Sequence, residues 1–214
     1  MFDSYRHKGL RQKLVQELRQ KGIKDERILS AFNDIPRHYF IDKAFSDWAY
    51  KDVAFPIDAD QTISQPYTVA IQTQLMDVQT GDKILEIGTG SGFQACVLAY
   101  LGAKVYTIER QKQLFDKSSE FLPKIGFNQV RLLYGDGYLG APRFAPFDKI
   151  IVTAGASQLP QTLFDQLKDG GIMVIPHGNA DILDMKKITK SADGNHKIET
   201  FGKFRFVPFV KGVQ

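Results

Sequence analysis

The segment that most constrains the fold is a short apolar strand followed directly by a loop with glycine at every second position. The strand covers residues 83–87, and the loop glycines are Gly88, Gly90 and Gly92. A helical pattern follows, and the next apolar strand, residues 105–108, ends in Glu109. Such a unit places a nucleotide-like ligand over the loop and its ribose against the terminal acid. The chain is therefore predicted to be an enzyme built around a nucleoside cofactor.

The spacing of the glycines indicates which cofactor fits the loop. The dinucleotide fingerprint G-x-G-x-x-G seats a pyrophosphate on a helix N-terminus. Here the spacing is G-x-G-x-G, and Glu86 lies two residues before the first glycine. A carboxylate beside the loop repels a pyrophosphate and attracts a cation. S-adenosylmethionine carries an ammonium and a sulfonium and has no phosphate, so it is the expected cofactor.

Residues 86–92 resemble motif I of the class I methyltransferases. The resemblance implies that Glu109 accepts hydrogen bonds from both ribose hydroxyls and that Asp136, after a third strand, meets the adenine amino group. Glycines in the loop let the backbone approach the methionine part because they carry no Cβ. The alternative is that they only form a tight turn between strand and helix. The predicted cofactor-binding residues are Glu86, Gly88, Thr89, Gly90, Ser91, Gly92, Glu109, Asp136 and Gly137.

The whole chain is predicted to form one α/β domain. From Lys83 onward, five apolar strands alternate with helical patterns, which predicts a doubly wound, Rossmann-like and mostly parallel sheet. Residues 182–190 and 197–210 predict a hairpin, the antiparallel C-terminal edge that methyltransferases usually have. We expect N-terminal helices and a substrate-side segment in residues 1–80, the cofactor-binding core in 81–178 and the hairpin in 179–214.

The N-terminal part predicts three helices joined by an irregular, aromatic-rich stretch. The first covers about residues 5–21, the second is capped by Asp25 and ends before Pro36, and the third begins near Pro66. The formal net charge is +4, and basic residues crowd the first helix. They favour either a nucleic-acid-binding face or the solvated side of an amphipathic helix. Leucines at helical spacing favour the second interpretation, so no nucleic-acid partner is expected.

The composition indicates the cellular compartment of the protein and whether it associates with membranes or metals. No run of about 18 apolar residues is present, and the N-terminus carries no apolar secretory core, so we expect no membrane association. The single cysteine, Cys96, cannot form an internal disulfide, which suits a reducing compartment. We therefore expect a monomeric cytoplasmic protein. The four histidines are scattered without metal-ligand spacing, so no metal is assigned.

Residues 62–67, with the sequence T-I-S-Q-P-Y, resemble a segment of the protein-L-isoaspartate O-methyltransferases. The resemblance spans about residues 30–210, and the other matching stretches are residues 35–40, 135–137, 145–148, 152–156, 166–171 and 205–208. Motif I alone is weakly specific, whereas the serine segment and the F-V-P ending are strongly specific. Two departures are Phe93, where many relatives carry tyrosine, and His177, where a small apolar residue is commoner.

This resemblance implies methylation of the free α-carboxylate of L-isoaspartyl residues in damaged proteins and peptides. The ester closes to a succinimide, which reopens partly to normal aspartate. The carboxylate is ionised at neutral pH, so it needs no general base, and Ser64 is the residue expected to hold it. The expected substrate-binding residues are Thr62, Ile63, Val152, Thr153, Ala154, Arg205, Val207 and Pro208. On local sequence alone, Ser64 is also suited to capping the helix that begins near Pro66.

Three other functions stay open at the level of sequence. A methyltransferase acting on a small carboxylic acid has the same donor side. A nucleic-acid methyltransferase is disfavoured because residues 152–155 read V-T-A-G where amino-group methylating enzymes carry an N-P-P-Y-like tetrad. Cys96 lies in a predicted helix and does not suit cytosine C5 methylation. A binding module without activity is disfavoured because Ser64, Glu86, Glu109 and Asp136 are all present.

Overall fold

Two sheets are present within residues 2–214, the part of the chain that the computed structural model describes. The smaller is an antiparallel pair, β1 (Phe55–Pro56) and β2 (Thr62–Ile63). The larger has seven strands: β3 (Lys83–Ile87), β4 (Lys104–Glu109), β5 (Arg131–Tyr134), β6 (Phe147–Val152), β7 (Leu167–His177), β8 (Leu183–Lys190) and β9 (His196–Phe204). The strand order is β5-β4-β3-β6-β7-β8-β9, with parallel pairing as far as β7 and antiparallel pairing beyond it.

Helices precede the large sheet and connect its strands. They are α1 (Tyr5–Gln20), α2 (Glu26–Asp34), α3 (Pro66–Met76), α4 (Phe93–Tyr100), α5 (Lys112–Lys124) and α6 (Gln161–Asp165). The aromatic stretch predicted to be irregular forms two 3-10 helices, Arg37–Phe40 and Lys43–Tyr50. Asp25 caps α2 as predicted, accepting a hydrogen bond from Arg27 N at 2.9 Å. The short helix α6 was not predicted.

The position of β3 determines where a ligand can bind. β3 pairs with β4 on one side and β6 on the other, so the chain winds outward from it in both directions. Ile87 at the end of β3 is in register with Ile108 and with Val152. Ligands of doubly wound sheets bind beyond the carboxyl ends of the strands at such a point. The predicted mostly parallel sheet with an antiparallel C-terminal edge is confirmed.

The last strand is shorter than its sequence pattern predicts. β9 ends at Phe204, whereas extended structure was expected as far as Val210. The chain then leaves the sheet edge and pairs with the exit of β6, where Gly155 N donates to Val207 O and Phe209 N donates to Gly155 O, both at 2.8 Å. Pro208 has no N–H and cannot donate to a continuing ladder. This return brings the C-terminal segment to the ligand-binding edge.

Helix α1 is amphipathic in the structure. Leu14 and Leu18 are buried, while three basic side chains at the outer face or end of the helix pair with acids: Arg6 with Asp47, Arg19 with Glu26, and Lys21 with Glu17 and Asp52. Arg11 is the buried exception, and it bonds Asp3 and Tyr50. Within residues 2–214, no helix combines the length and the apolar character that crossing a bilayer requires.

Replacing Leu18 with alanine tests whether α1 belongs to the core. Leu18 is fully buried, so Leu18→Ala should lower the free energy of unfolding by about 2–5 kcal/mol. Leu139→Ala is the matched control, because Leu139 is 63% exposed and should change stability by about 0.5 kcal/mol or less. Urea unfolding measures both values, and equal values for the two variants would contradict this packing.

Candidate functional site

A cavity lies at the carboxyl ends of β3, β4 and β6. It brings together most of the predicted site residues: Thr62, Ile63, Ser64, Glu86, Gly88, Thr89, Gly90, Ser91, Glu109, Gly137, Thr153, Ala154, Val207 and Pro208. Parallel strands deliver the glycine loop, the acid after β4 and the exit of β6 to the same edge of the sheet. Residues from the N-terminal third and from the C-terminal segment close the cavity from the other sides.

Glu86 is a carboxylate without a partner at the floor of the cavity. It is fully buried, and neither of its oxygens accepts a hydrogen bond from the described residues. Burial raises the pKa of Glu86 to about 8, opposed by the nearby Thr107 hydroxyl and reinforced by the charge of Glu109. An orphaned buried carboxyl group is costly unless a ligand satisfies it. The site therefore suits a ligand that brings a cationic donor.

Glu109 links the end of β4 to the glycine loop. Its carboxylate accepts hydrogen bonds from Gly90 N at 2.8 Å and from Gln111 N at 2.9 Å, one on each oxygen. Each carboxylate oxygen can accept a further bond, so Glu109 can also receive two hydroxyl donors from a ligand. Two acids at one cavity make it a poor site for a pyrophosphate and a good one for a cationic nucleoside.

Thr153 joins the ends of β6 and β3. Its hydroxyl lies 2.9 Å from Ile87 O and 2.8 Å from Gly88 O and donates to them. A Cβ on Gly88 would lie 2.6 Å from Thr153 Oγ1, and Gly88 has φ of 94°. Only glycine combines this backbone conformation with so close an approach. The hydroxyl of Thr153 therefore holds the site together.

Ser64 does not cap α3, so that alternative is wrong. The cap residue of α3 is Gln65, which makes no side-chain capping bond. Asp52 supplies the cap from a distant position, accepting hydrogen bonds from Tyr67 N at 2.7 Å and Gln65 Nε2 at 3.0 Å. The Ser64 hydroxyl makes no hydrogen bond to another residue in the range 2–214 and lines the cavity. It is therefore available to a ligand.

A second cleft adjoins the cavity at Ser64. It runs between α3 and the end of β9 with the segment that follows, and it shares Thr62, Ser64, Thr153 and Val207 with the cavity. Tyr67 and Phe204 stack along it with ring centroids 6.2 Å apart. Arg205 lines this cleft and not the cavity. Ser64 thus stands at the junction of the cavity and the cleft.

Besides Arg205, three predicted site residues do not line the cavity. Gly92 begins α4, where a Cβ would lie 2.8 Å from Leu122 Cδ2. Val152 is fully buried in the sheet, and its carbonyl accepts a hydrogen bond from Gln72. The Asp136 carboxylate accepts hydrogen bonds from Tyr138 N and Gly212 N, both at 2.8 Å. These residues support the walls of the site from behind.

Phe93, noted above as a departure from the family pattern, lines the cavity. Lining residues that were not predicted include Asp60, Gln94, Arg110, Phe209 and Val210. The last two belong to the C-terminal segment, whose end is bound across the sheet edge. Gln214 N donates to Arg110 O at 2.8 Å, and Lys112 N donates to Gln214 O at 2.7 Å. Phe209 stacks on Tyr138 with centroids 3.9 Å apart. These contacts join distant positions, so no local pattern in the sequence predicts them.

A group of possible metal ligands lies away from the cavity. Asp3, His7 and His38 offer ligand atoms within 4.8 Å of one another, although the sequence suggested no such group because His38 comes from a distant segment. Both carboxylate oxygens of Asp3 already accept hydrogen bonds from Arg11. His38 Nδ1 is 2.6 Å from the Tyr50 hydroxyl. These bonds engage Asp3 and His38 in tying the N-terminal segment to the Arg37–Phe40 turn, while His7 Nδ1 is buried without a hydrogen-bond partner among residues 2–214.

The strand order, with the acid-flanked glycine loop at its switch point, defines a class I methyltransferase fold. A solved protein-L-isoaspartate O-methyltransferase superposes with a TM-score of 0.80 at 29% identity, covering 92% of this chain. This chain spans 65% of that one. A crystal structure of a Plasmodium falciparum homologue in complex with S-adenosyl-L-homocysteine has a TM-score of 0.81 at 24% identity, covering 94% of this chain and 98% of that one, and shows the shared fold.

The sequence comparisons identify the family. The sequence profile described as "Protein-L-isoaspartate(D-aspartate) O-methyltransferase (PCMT)" matches residues 9–214. A protein of Christiangramia forsetii named protein-L-isoaspartate O-methyltransferase is 56% identical over 212 residues, which is 99% of each chain. The chain belongs to the protein-L-isoaspartate(D-aspartate) O-methyltransferase family.

The raised pKa of Glu86 predicts how the stability of the cofactor-free protein depends on pH. The folded pKa is about 8 against an ordinary value of 4.5. The contribution of Glu86 to stability is therefore fully present below about pH 4.5 and is lost as the pH rises through about 8. Glu86→Gln cannot ionise, so its melting temperature should fall less than that of the wild type between about pH 6 and pH 9.

Differential scanning calorimetry on the cofactor-free protein measures this difference. Glu120→Gln is the control, because Glu120 is exposed on α5 and its pairing with Lys124 keeps its pKa below the ordinary value. That variant should reproduce the pH dependence of the wild type. Identical slopes for the wild type and Glu86→Gln would show that Glu86 does not titrate in this range.

Proposed function

We propose that this protein uses the cavity to bind S-adenosylmethionine and the adjoining cleft to bind an L-isoaspartyl chain, whose free α-carboxylate it methylates. The observation that carries this assignment is the position of Ser64. Ser64, whose hydroxyl makes no hydrogen bond within residues 2–214, lines both the cavity and the cleft. A donor bound in the cavity and a chain bound in the cleft would meet at this residue. Membership of the protein-L-isoaspartate(D-aspartate) O-methyltransferase family supports the same reaction.

The residues of the cavity fit the cofactor. Glu86 offers a partnerless carboxylate to an ammonium group, and Glu109 offers acceptor positions to the two ribose hydroxyls. A Cβ on Gly90 would meet nothing nearer than Ile57 Cδ1 at 3.8 Å, so the backbone at Gly90 is open to the cavity. When bound, S-adenosylmethionine supplies a methyl group on a sulfonium, which is an electrophile toward an ionised carboxylate.

The acceptor side has to hold and align the carboxylate. An α-carboxyl group has a pKa of about 3.5, so it is ionised at neutral pH and no base has to remove a proton. We assign the Ser64 hydroxyl as the donor that fixes one carboxylate oxygen, and Thr62, Ile63, Ala154, Val207 and Pro208 as walls that exclude water around it. Arg205 and the Tyr67–Phe204 pair contact the flanking residues of the substrate in the cleft.

The product of this step is an α-methyl ester. The ester closes to a succinimide without further help, and the succinimide reopens partly to normal aspartate. The substrates are therefore isoaspartyl-containing proteins and peptides, and the enzyme begins their repair.

We further infer that the enzyme works as a cytoplasmic monomer without a nucleic-acid partner. The ion pairs along α1 support the last point, because Arg6, Arg19 and Lys21 already face carboxylates. The free buried thiol of Cys96 supports a reducing compartment. Light scattering coupled to gel filtration would test the monomer, and a dimer would contradict it.

The first experiment compares two peptides that differ only in carrying L-isoaspartate or L-aspartate at one position. Incubation with methyl-labelled S-adenosylmethionine should place base-labile label on the isoaspartyl peptide alone. Base lability identifies an ester, and the peptide pair identifies the acceptor. Label on both peptides would contradict isoaspartyl selectivity. Label on neither, with cofactor binding intact, would favour a small carboxylic acid or RNA as the acceptor.

Replacing Ser64 with alanine tests the acceptor assignment. Removing a hydrogen bond to a charged group should reduce turnover by about tenfold or more, with little change in the dissociation constant of S-adenosylmethionine. Single-turnover rates and calorimetric titration measure the two quantities separately. Ser157→Ala, a change of the same type at an exposed serine just beyond β6, should leave both unchanged. An equal loss of cofactor affinity in Ser64→Ala would contradict the role of Ser64.

Replacing Glu109 with alanine tests the donor assignment. Glu109→Ala removes the proposed ribose acceptor and frees Gly90 N, so KM for S-adenosylmethionine should rise by about tenfold or more. KM for the isoaspartyl peptide at saturating cofactor should change much less. Initial-rate kinetics with each substrate varied in turn measure both constants. A rise confined to KM for the peptide would contradict the assignment of Glu109 to cofactor binding.

A further inference from the structure

Arg37 is a buried guanidinium that lies behind Ser64. It is 2% exposed, and its Nη2 donates to Ser64 O at 2.7 Å while its Nε donates to Ala49 O at 3.0 Å. Nη1 is buried and has no hydrogen-bond partner within residues 2–214. The guanidinium also lies 4.7 Å from the ring centroid of Phe93, which lines the cavity. A buried charge normally requires a paired opposite charge, and here only neutral groups contact it.

The nearest acid does not cancel this charge. Asp52 acts on Arg37 through space, but its carboxylate is bonded to Tyr67 N, to Gln65 and to Lys21. Lys21 adds a positive charge of its own beside it. Burial lowers the pKa of Arg37 to about 9, so the guanidinium stays protonated at neutral pH. The protein thus keeps an unneutralised cation directly behind the residue proposed to hold the substrate carboxylate.

We propose that Arg37 is a specificity-determining residue, whose buried charge makes the site prefer an anionic α-carboxylate over its neutral forms. This inference rests on the proposed placement of that carboxylate at Ser64. Arg37 acts through the field of its charge and through its bond to the Ser64 carbonyl, without touching the substrate. Methylation removes the negative charge, so the same field that favours the substrate ceases to hold the ester. The enzyme would thereby distinguish substrate from product.

The size of the effect follows from Coulomb's law. Covalent and hydrogen-bond lengths through Ser64 put the guanidinium roughly 10 Å from a carboxylate held by the serine hydroxyl. With an effective dielectric constant of about 20, a charge pair at that distance changes affinity by about tenfold. Exposed cations on the cleft, such as Arg205, act through solvent and are screened by salt, whereas a buried charge is screened much less.

The test compares an L-isoaspartyl peptide with the same peptide carrying L-isoasparagine, in which a neutral carboxamide replaces the α-carboxylate. Both dissociation constants are measured by calorimetry on the enzyme saturated with S-adenosylhomocysteine. The wild type should bind the isoaspartyl peptide about tenfold more tightly than the isoasparaginyl peptide. Arg37→Gln should reduce this ratio nearly to one, and Arg37→Lys, which keeps the charge, should restore most of it.

Arg27→Gln is the matched control. Arg27 is an exposed residue of α2 that pairs with Asp25, so removing it should leave the ratio unchanged. If Arg37→Gln weakens both peptides equally and the ratio is preserved, Arg37 only shapes the serine segment and the inference is overturned. If Ser64→Ala retains full turnover on the isoaspartyl peptide, the placement at Ser64 fails instead, whatever Arg37 does.

A measurement on the wild type covers the case in which Arg37→Gln does not fold. The ratio of the two dissociation constants is determined at about 0.05 M and about 0.5 M potassium chloride. Selectivity that comes from a buried charge should change by less than about twofold across this range. A ratio that falls to one at high salt would assign the selectivity to exposed cations of the cleft and overturn the role of Arg37.

Discussion

The end of β3 is the constraint on which the rest of the site depends. Parallel pairing with β4 and β6 fixes where three strands finish, and the Thr153 hydroxyl ties the last carbonyls of β3 to the exit of β6. This geometry brings Glu86 and Glu109 to the same cavity. Burial raises the pKa of the Glu86 carboxyl, and the nearby charge of Glu109 reinforces this shift. A cationic ligand offsets both effects, so cofactor binding should also stabilise the fold.

The N-terminal third supports the acceptor side of the site. Asp52 caps α3, which leaves the Ser64 hydroxyl free, and Arg37 holds the Ser64 carbonyl from behind. The 3-10 turns, one of which carries Arg37, are tied to α1 by the hydrogen bond from Arg11 to Tyr50, and Phe40 packs on Phe93 and Phe121. In the proposed function, the carboxyl edge of the sheet binds the donor, and the segment around Ser64 binds the acceptor. Methyl transfer requires both parts of the chain, because each binds only one of the two substrates.

The parts of the structure that the sequence predicts are those determined by local patterns. The glycine loop, the acid after β4 and the alternation of strands and helices depend on residues close together in the chain, and they were placed correctly. The cap supplied by Asp52, the contact between Arg37 and Ser64, and the grouping of Asp3 with His38 join distant positions. No periodicity marks them. β9 was predicted to be too long for the same reason. The segment after Phe204 pairs with the distant Gly155 and does not continue the pairing of β9 with β8.

The charged residues of the site contribute to substrate binding and not to the acceleration of methyl transfer. Methyl transfer from a sulfonium to a carboxylate cancels one positive and one negative charge. Arg37, whose charge favours the anionic carboxylate, stabilises the ground state more than the transition state, while Glu86 faces the ammonium group, whose charge does not change in the reaction. They therefore select and hold the two substrates without lowering the barrier. The acceleration must come from alignment of the reacting atoms and from exclusion of water. Ser64, at the junction of cavity and cleft, is the residue whose position meets that requirement.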